Sequence, residues 1–152
     1  MDQAAPPGDG HTSPLLQDQL CFALYAASRA VTTRYRPLLD ELGLTYPQYL
    51  VMLVLWQHNG VSVRELGAAL QLESSTLSPL LKRLEAGGLI HRVRRPDDER
   101  SVAIHLTDAG DRLRDRARDV PPAIGRAMGL NPEQVATAKS LLRLLAANVS
   151  DD

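Results

Sequence analysis

The stretch from Ser62 to Leu106 constrains the fold more than any other part of the chain. It opens "SVRELGAALQLESSTLSPLLKRLEAGGLI". Ser62 and Glu65 match a capping box, in which each residue's side chain satisfies the other's backbone N–H. A helix of about eight residues is expected from there, ending near Leu70. After a brief turn, Ser74, Ser75 and Thr76 are residue types that cap a second helix, and Gly87-Gly88 stops it. Pro79 is expected in its first turn or so, where a missing N–H costs least. Two short helices joined by a tight turn are the helix-turn-helix pattern. "LIHRVRRPDDERSVAIHLT" then changes character: two β-favouring runs flank a polar, charged loop. A two-stranded ribbon directly after the helix pair is a wing.

Helix signals dominate elsewhere. Ser13-Pro14 reads as an N-cap and first helical residue, opening a helix to about Arg36, where Pro37 should end or bend it. Gly43 stops the continuation. Thr45 and Gln48 resemble a capping box before "YPQYLVMLVLWQH", which Gly60 closes. That segment is apolar nearly all round, which suits a buried central helix. Thr107 caps a helix to about Asp119, which Pro121-Pro122 interrupts. Asn131-Pro132 opens the last helix, with Val135, Ala138, Leu141, Leu142 and Leu145 on one face. The expected fold is mainly α with a small β-wing: residues 1–13 a disordered arm, and residues 14–152 a single domain with a winged helix-turn-helix core over 45–106.

The chain of 152 residues carries 17 Lys and Arg against 18 Asp and Glu, a formal net charge of −1. A nucleic-acid role therefore needs a local basic patch. One cysteine makes no internal disulfide, so a secreted, stapled scaffold is not implied. No apolar run approaches the roughly 20 residues that span a bilayer, and the start has neither the basic nor the apolar region of a signal peptide. The expected setting is the cytoplasm. His91 and His105 are positioned to face each other across the wing, but no third ligand is evident, so neither metal nor cofactor is expected.

A local patch is present. The second helix of the pair starts with Ser74, Ser75, Thr76 and Ser78, small residues that approach base edges and phosphates closely, and the helix dipole favours phosphate there. Lys82 and Arg83 follow. The wing adds Arg92, Arg94, Arg95 and Arg100. From Lys82 to Arg95 there are five cations and one acid, Glu85. In "PDDERS", Asp98 stands two residues before Arg100, so its carboxylate can hold the guanidinium extended for entry into a narrow minor groove.

"LESSTLSPLLKRLEAGGLIHRVRRPDDERSVAIHLTDAG" resembles the winged helix-turn-helix core of the MarR family of bacterial repressors, including the Asp-x-Arg of the wing and the following Leu-Thr. The likeness extends over roughly residues 15 to 149. "LCFALYAASR" with "YRPLLDELGLTYPQYLVMLVLW" is similar to the OhrR group of organic-hydroperoxide sensors. The resemblance implies a homodimer built from the first and last helices (14–43 and 107–149) on palindromic double-stranded DNA. It also implies that Cys21 is the peroxidatic cysteine, assisted by Tyr25, Tyr35 and Tyr46.

Helical geometry adds a constraint. Cys21, Tyr25 and Tyr35 share one helix face, but Tyr35 lies about 21 Å along the axis from Cys21 at 1.5 Å per residue. A tyrosine does not span that distance, so a contact between them has to come from another subunit. Tyr46, beyond Pro37, is placed likewise. The thiolate is the reactive form, and phenol hydroxyls donated to sulfur favour it. No Lys or His lies within a turn of Cys21, and Arg29 is two turns on. Leu20, Phe22 and Leu24 supply apolar surroundings that suit an organic hydroperoxide. Without a second cysteine, the sulfenic acid has as its routes a mixed disulfide with a small cellular thiol, a sulfenamide or over-oxidation. A structural cysteine filling a gap is the simpler alternative. Two others compete: a repressor relieved by a small aromatic ligand, with Cys21 incidental, and a thiol peroxidase. The last needs a resolving cysteine or an adjacent cation, neither of which is visible, so an enzyme is not expected.

Overall fold

The computed structural model describes residues 12–150, with the side chains of residues 98–100 outside the description. The arm expected over residues 1–13 lies almost wholly outside the described residues. The elements are α1 (Leu20–Asp40), α2 (Tyr46–Gln57), α3 (Val63–Leu70), α4 (Ser74–Ala86), β1 (Ile90–Arg95), β2 (Asp98–Leu106), α5 (Asp108–Ala117), α6 (Val120–Met128) and α7 (Pro132–Ser150). The described chain forms two compact units, one through Arg118 and one from Asp119.

In the first unit α2 is central. Val51, Met52 and Leu55 are fully buried, as expected of a helix that is apolar all round. Its capping box is complete: Thr45 Oγ1 accepts from the Gln48 N–H, and Gln48 Oε1 accepts from the Thr45 N–H. The Ser62–Glu65 box that opens α3 is complete as well. Leu66 of α3 and Leu77, Leu81 and Leu84 of α4 close the core from the other side, with Ile90 and Ile104 from the wing. β1 and β2 pair antiparallel, Ile90 opposite Leu106 and His91 opposite His105.

Three sequence expectations require correction. Ser13-Pro14 does not open the first helix. A 3-10 turn over Leu16–Asp18 comes first, and α1 begins only at Leu20. The reason is local: the Ser13 hydroxyl donates to Asp18 Oδ2, while the Gln19 amide reaches back to the carbonyls of Ser13 and Leu15. Pro37 does not end α1, which continues to Asp40. Its ring removes one backbone hydrogen bond, but only the continued helix buries Leu39 to 1 % exposure. Ser74, Ser75 and Thr76 are not the cap of α4. Glu73 is the N-cap, without a side-chain bond, and the three hydroxyl residues form the first turn. Pro79 accordingly sits in the second turn. Beyond these, Pro121-Pro122 does more than interrupt a helix: the prolines occupy the first turn of α6, where an absent N–H has no partner to lose.

In the second unit, α7 opens at Asn131, whose side chain accepts from Gln134 N–H while Gln134 Oε1 accepts from Asn131 N–H. No residue of α7 is buried. Leu141, Leu142, Leu144 and Val149 are all exposed.

The junction of wing and α5 is tight. Thr107 Oγ1 accepts from the Gly110 N–H and donates to Gly88 O, and Trp56 Nε1–H donates to Gly110 O at 2.9 Å. A Cβ on Gly110 would collide with the Leu89 carbonyl, which is held by the Thr107 N–H. Backbone cannot step aside as a side chain can. Gly110→Ala should therefore lower unfolding stability by about 3 kcal/mol, read in urea by the fluorescence of Trp56, the only tryptophan.

Candidate functional site

α4 has two faces. Leu77, Leu80, Leu81 and Leu84 are buried, at the spacing of one helical stripe. Ser74, Ser75, Thr76, Ser78, Lys82 and Arg83 are all exposed. The fold thus presents together the six α4 residues read from the sequence. The positive end of a helix dipole, as at this first turn, favours phosphate.

The wing is less uniformly basic than the sequence suggests. Arg94 is exposed. Arg92 Nε lies 3.7 Å from Glu85 Oε2. Arg95 Nη1 lies 3.7 Å from Glu65 Oε1, and its Nη2 donates to Gly60 O at 3.2 Å. Two cations counted toward a free basic patch are thus engaged with acids of the helix pair. The sequence placed Glu85 and Glu65 on helices but did not reveal which arginine each would meet. The side chains of Asp98 and Arg100 lie outside the described residues. His91 and His105 do face each other, with ring centroids 5.7 Å apart. Among the described residues, no group of three or more His, Cys, Asp or Glu is placed to hold a metal ion.

Cys21 is exposed in the first turn of α1. Tyr25, one turn on, is exposed too, and Arg29 Cζ stands 5.5 Å from its ring centroid. Phe22, Tyr25, Ala26, Arg29, Ala30 and Thr33 line a shallow groove of about 350 Å³ on this helix. Tyr35 and Tyr46 belong to a different place. Their ring centroids are 4.8 Å apart, and Tyr35 also lies 5.8 Å from Tyr49, which meets Trp56 edge-on at 6.4 Å. Since α1 is continuous from Cys21 to Tyr35, the two residues are about 21 Å apart along its axis. The structure therefore brings Tyr35 and Tyr46 together and leaves them away from Cys21 of the same chain.

Sequence reading missed Tyr49. Its signal was its place three residues after Tyr46 on a helix with no polar face. Burial raises the Tyr35 phenol above its ordinary value, and neighbouring Tyr46 adds to this. Burial pushes Tyr49 up to about 12, with Tyr35 and Tyr46 contributing. Both phenols therefore stay protonated as hydrogen-bond donors at neutral pH. An unfolded tyrosine ionises near pH 10, so folding stability should fall as pH rises from there through about 12. A near-ultraviolet tyrosinate titration should show late components, of which the one near 12 is removed by Tyr49→Phe.

Comparison with known proteins agrees with this architecture. Residues 33–116 match the family model "Transcriptional regulator SarA/Rot". The chain is 49 % identical over 126 residues to the organic hydroperoxide resistance transcriptional regulator of Bacillus subtilis, covering 83 % of this chain and 84 % of that one. The overoxidized AbfR bound to DNA superposes with a TM-score of 0.73 at 38 % identity, covering 87 % of this chain and 93 % of that one. AbfR is a Staphylococcus epidermidis protein, also solved reduced on DNA. PcaV, a transcriptional regulator of Streptomyces coelicolor solved with its natural ligand, gives a TM-score of 0.81 at 26 % identity, covering 89 % and 96 %. The chain belongs to the MarR family of winged helix-turn-helix transcriptional regulators and, within it, stands with the organic hydroperoxide regulators.

Proposed function

We propose that this chain is a cytoplasmic DNA-binding repressor that senses organic hydroperoxides through Cys21 and releases its operator on oxidation. The observation that carries the reading is the sole cysteine, exposed on α1, in a chain nearly half identical to an organic hydroperoxide regulator. DNA complexes of reduced and overoxidized AbfR support a redox input to the same fold.

The site becomes complete in a homodimer. Leu16 and Leu20 near the start of α1, and Leu141, Leu144 and Val149 of α7, are exposed apolar residues of the kind a dimer interface buries. With the two copies of α1 crossing antiparallel at a two-fold axis, Tyr35 and Tyr46 of one protomer reach Cys21 of the other. Tyr25 comes from the same helix as the sulfur. Protonated phenols donate to the thiolate and stabilise it. The thiolate attacks the peroxide oxygen, the O–O bond breaks, and the leaving alkoxide takes a proton as an alcohol; sulfur is oxidised to sulfenic acid. A small cellular thiol then condenses with the sulfenic acid to a mixed disulfide and water. The added polar bulk at the dimer seam moves the two α4 helices off the spacing of one DNA turn, about 34 Å. One peroxide is consumed per Cys21, which separates a sensor from a peroxidase. Ser74, Ser75, Thr76 and Ser78 approach the bases and phosphates, and Lys82, Arg83 and Arg94 neutralise phosphates.

A second reading has its own observation. The groove beside α1 carries an arginine over an aromatic ring, a setting for a small aromatic ligand, and PcaV is a ligand-bound regulator of the same fold. In that case Cys21 is incidental.

A gel shift decides between them. On promoter DNA treated with cumene hydroperoxide and a small thiol, wild type should release and Cys21→Ser should stay bound. Release of Cys21→Ser would sink the redox reading. Separately, Lys82→Ala should weaken binding to all sequences and flatten the slope of log affinity against log salt by about one unit.

A further inference from the structure

The wing's two adjacent arginines are put to different uses. The ladder runs in register from Ile90 opposite Leu106 to Arg94 opposite Val102, then slips, so that Arg95 pairs with Asp98. A bulge re-aims the residue next to it. Arg94 points to solvent. Arg95 turns back to the helix pair, donating to Gly60 O at 3.2 Å and lying 3.7 Å from Glu65 Oε1. The other Glu65 oxygen accepts from the Ser62 N–H at 3.2 Å, closing the capping box of α3. One guanidinium thus bridges the outer part of the wing, the loop before α3 and the first turn of α3.

We propose that Arg95 is a positioning residue, which latches the wing to the start of α3 and does not itself contact DNA. This rests on the DNA-binding reading above. A two-stranded ribbon has little stability of its own. Its inner part is held by backbone bonds between Ile104 and the 60–61 loop; Arg95 is a tie further out among the described residues. The planar fork of arginine suits a site with an oxygen on each side, and a lysine ammonium does not reproduce it. The pairing also neutralises Glu65, an acid that would otherwise repel phosphate at the front of α3. An exposed ion pair adds little to global stability, so the consequence lies in where the wing, and Arg94 with it, meets the duplex.

The test uses full-length wild type, Arg95→Gln, Arg95→Lys, Glu65→Gln and Arg94→Gln. The probe is a duplex selected from random DNA by the wild-type protein, titrated across a salt series. Hydrogen exchange of the wing amides is measured on the free proteins. Glutamine at 65 preserves the capping box, so that variant keeps α3. A latch predicts that Arg95→Gln, Arg95→Lys and Glu65→Gln each bind about tenfold more weakly with the wild-type salt slope, whereas losing the Arg94 phosphate contact lowers the slope by about one. It also predicts faster wing exchange in all three, and an Arg95→Gln, Glu65→Gln double variant no weaker than either single one. The proposal is overturned if Arg95→Gln lowers the slope by about one, if Arg95→Lys restores affinity, or if Glu65→Gln tightens binding. Absence of salt-dependent binding by the wild type would remove the DNA reading instead. Wing exchange would still judge the latch, unchanged rates overturning it and faster rates supporting it.

Discussion

The arrangement depends on Ile104. Its N–H donates to Val61 O at 2.8 Å and its carbonyl accepts from Gly60 N–H at 3.0 Å, while its side chain is fully buried. The neighbouring Ala103 bridges to Ser62, and the Leu106 N–H donates to Asn59 Oδ1. β2 therefore has β1 on one edge and the 59–62 loop on the other. Because Ser62 is also the N-cap of α3, the bonds that seat the wing also fix where the helix pair begins. Wing and recognition helix are held in one frame, and a winged DNA-binding module needs both held together.

That frame carries α4 as a rigid, leucine-backed rod with its hydroxyl and basic residues outward. The thiol is far from it in sequence, near the start of the compact unit's chain. The thiol sits on α1, one continuous helix from Leu20 to Asp40. The length of α1 separates Cys21 from Tyr35 of its own chain, though not from Tyr25, so the proposed sensor draws on a second chain for Tyr35 and Tyr46. In the proposed mechanism, chemistry at Cys21 is felt as a change in how two protomers fit, the kind of bistable interface that converts a small local event into a large displacement.

Much of the fold was legible in residues 45–107 because its signals are local. A Thr-x-x-Gln and a Ser-x-x-Glu capping box, a glycine pair and alternating apolar runs need only neighbouring residues to act, and all appear where the pattern puts them. The exposed face of α4 was legible for the same reason, since a leucine stripe at 77, 80, 81 and 84 leaves the serines and basic residues no other side. Less was legible where distant residues compete. Pro37 reads as an end or a bend, but Leu39 beyond it has a core to enter and the helix runs on to Asp40. Ser74 reads as a cap, but the backbone turns one residue earlier at Glu73. Arg92 and Arg95 read as free charges, but acids on helices elsewhere in the chain take them.

By itself, the sequence determined the order and ends of most helices, the wing, the α4 surface and the presence of a single thiol early in the chain. These follow from propensities and capping reactions that span three or four residues. Tertiary structure decided which arginines remain free, that α1 passes through its proline, and that Tyr35, Tyr46 and Tyr49 gather into one partly buried cluster. Those outcomes turn on burial and on contacts between residues far apart in the chain, where the free energy of packing outweighs local preference.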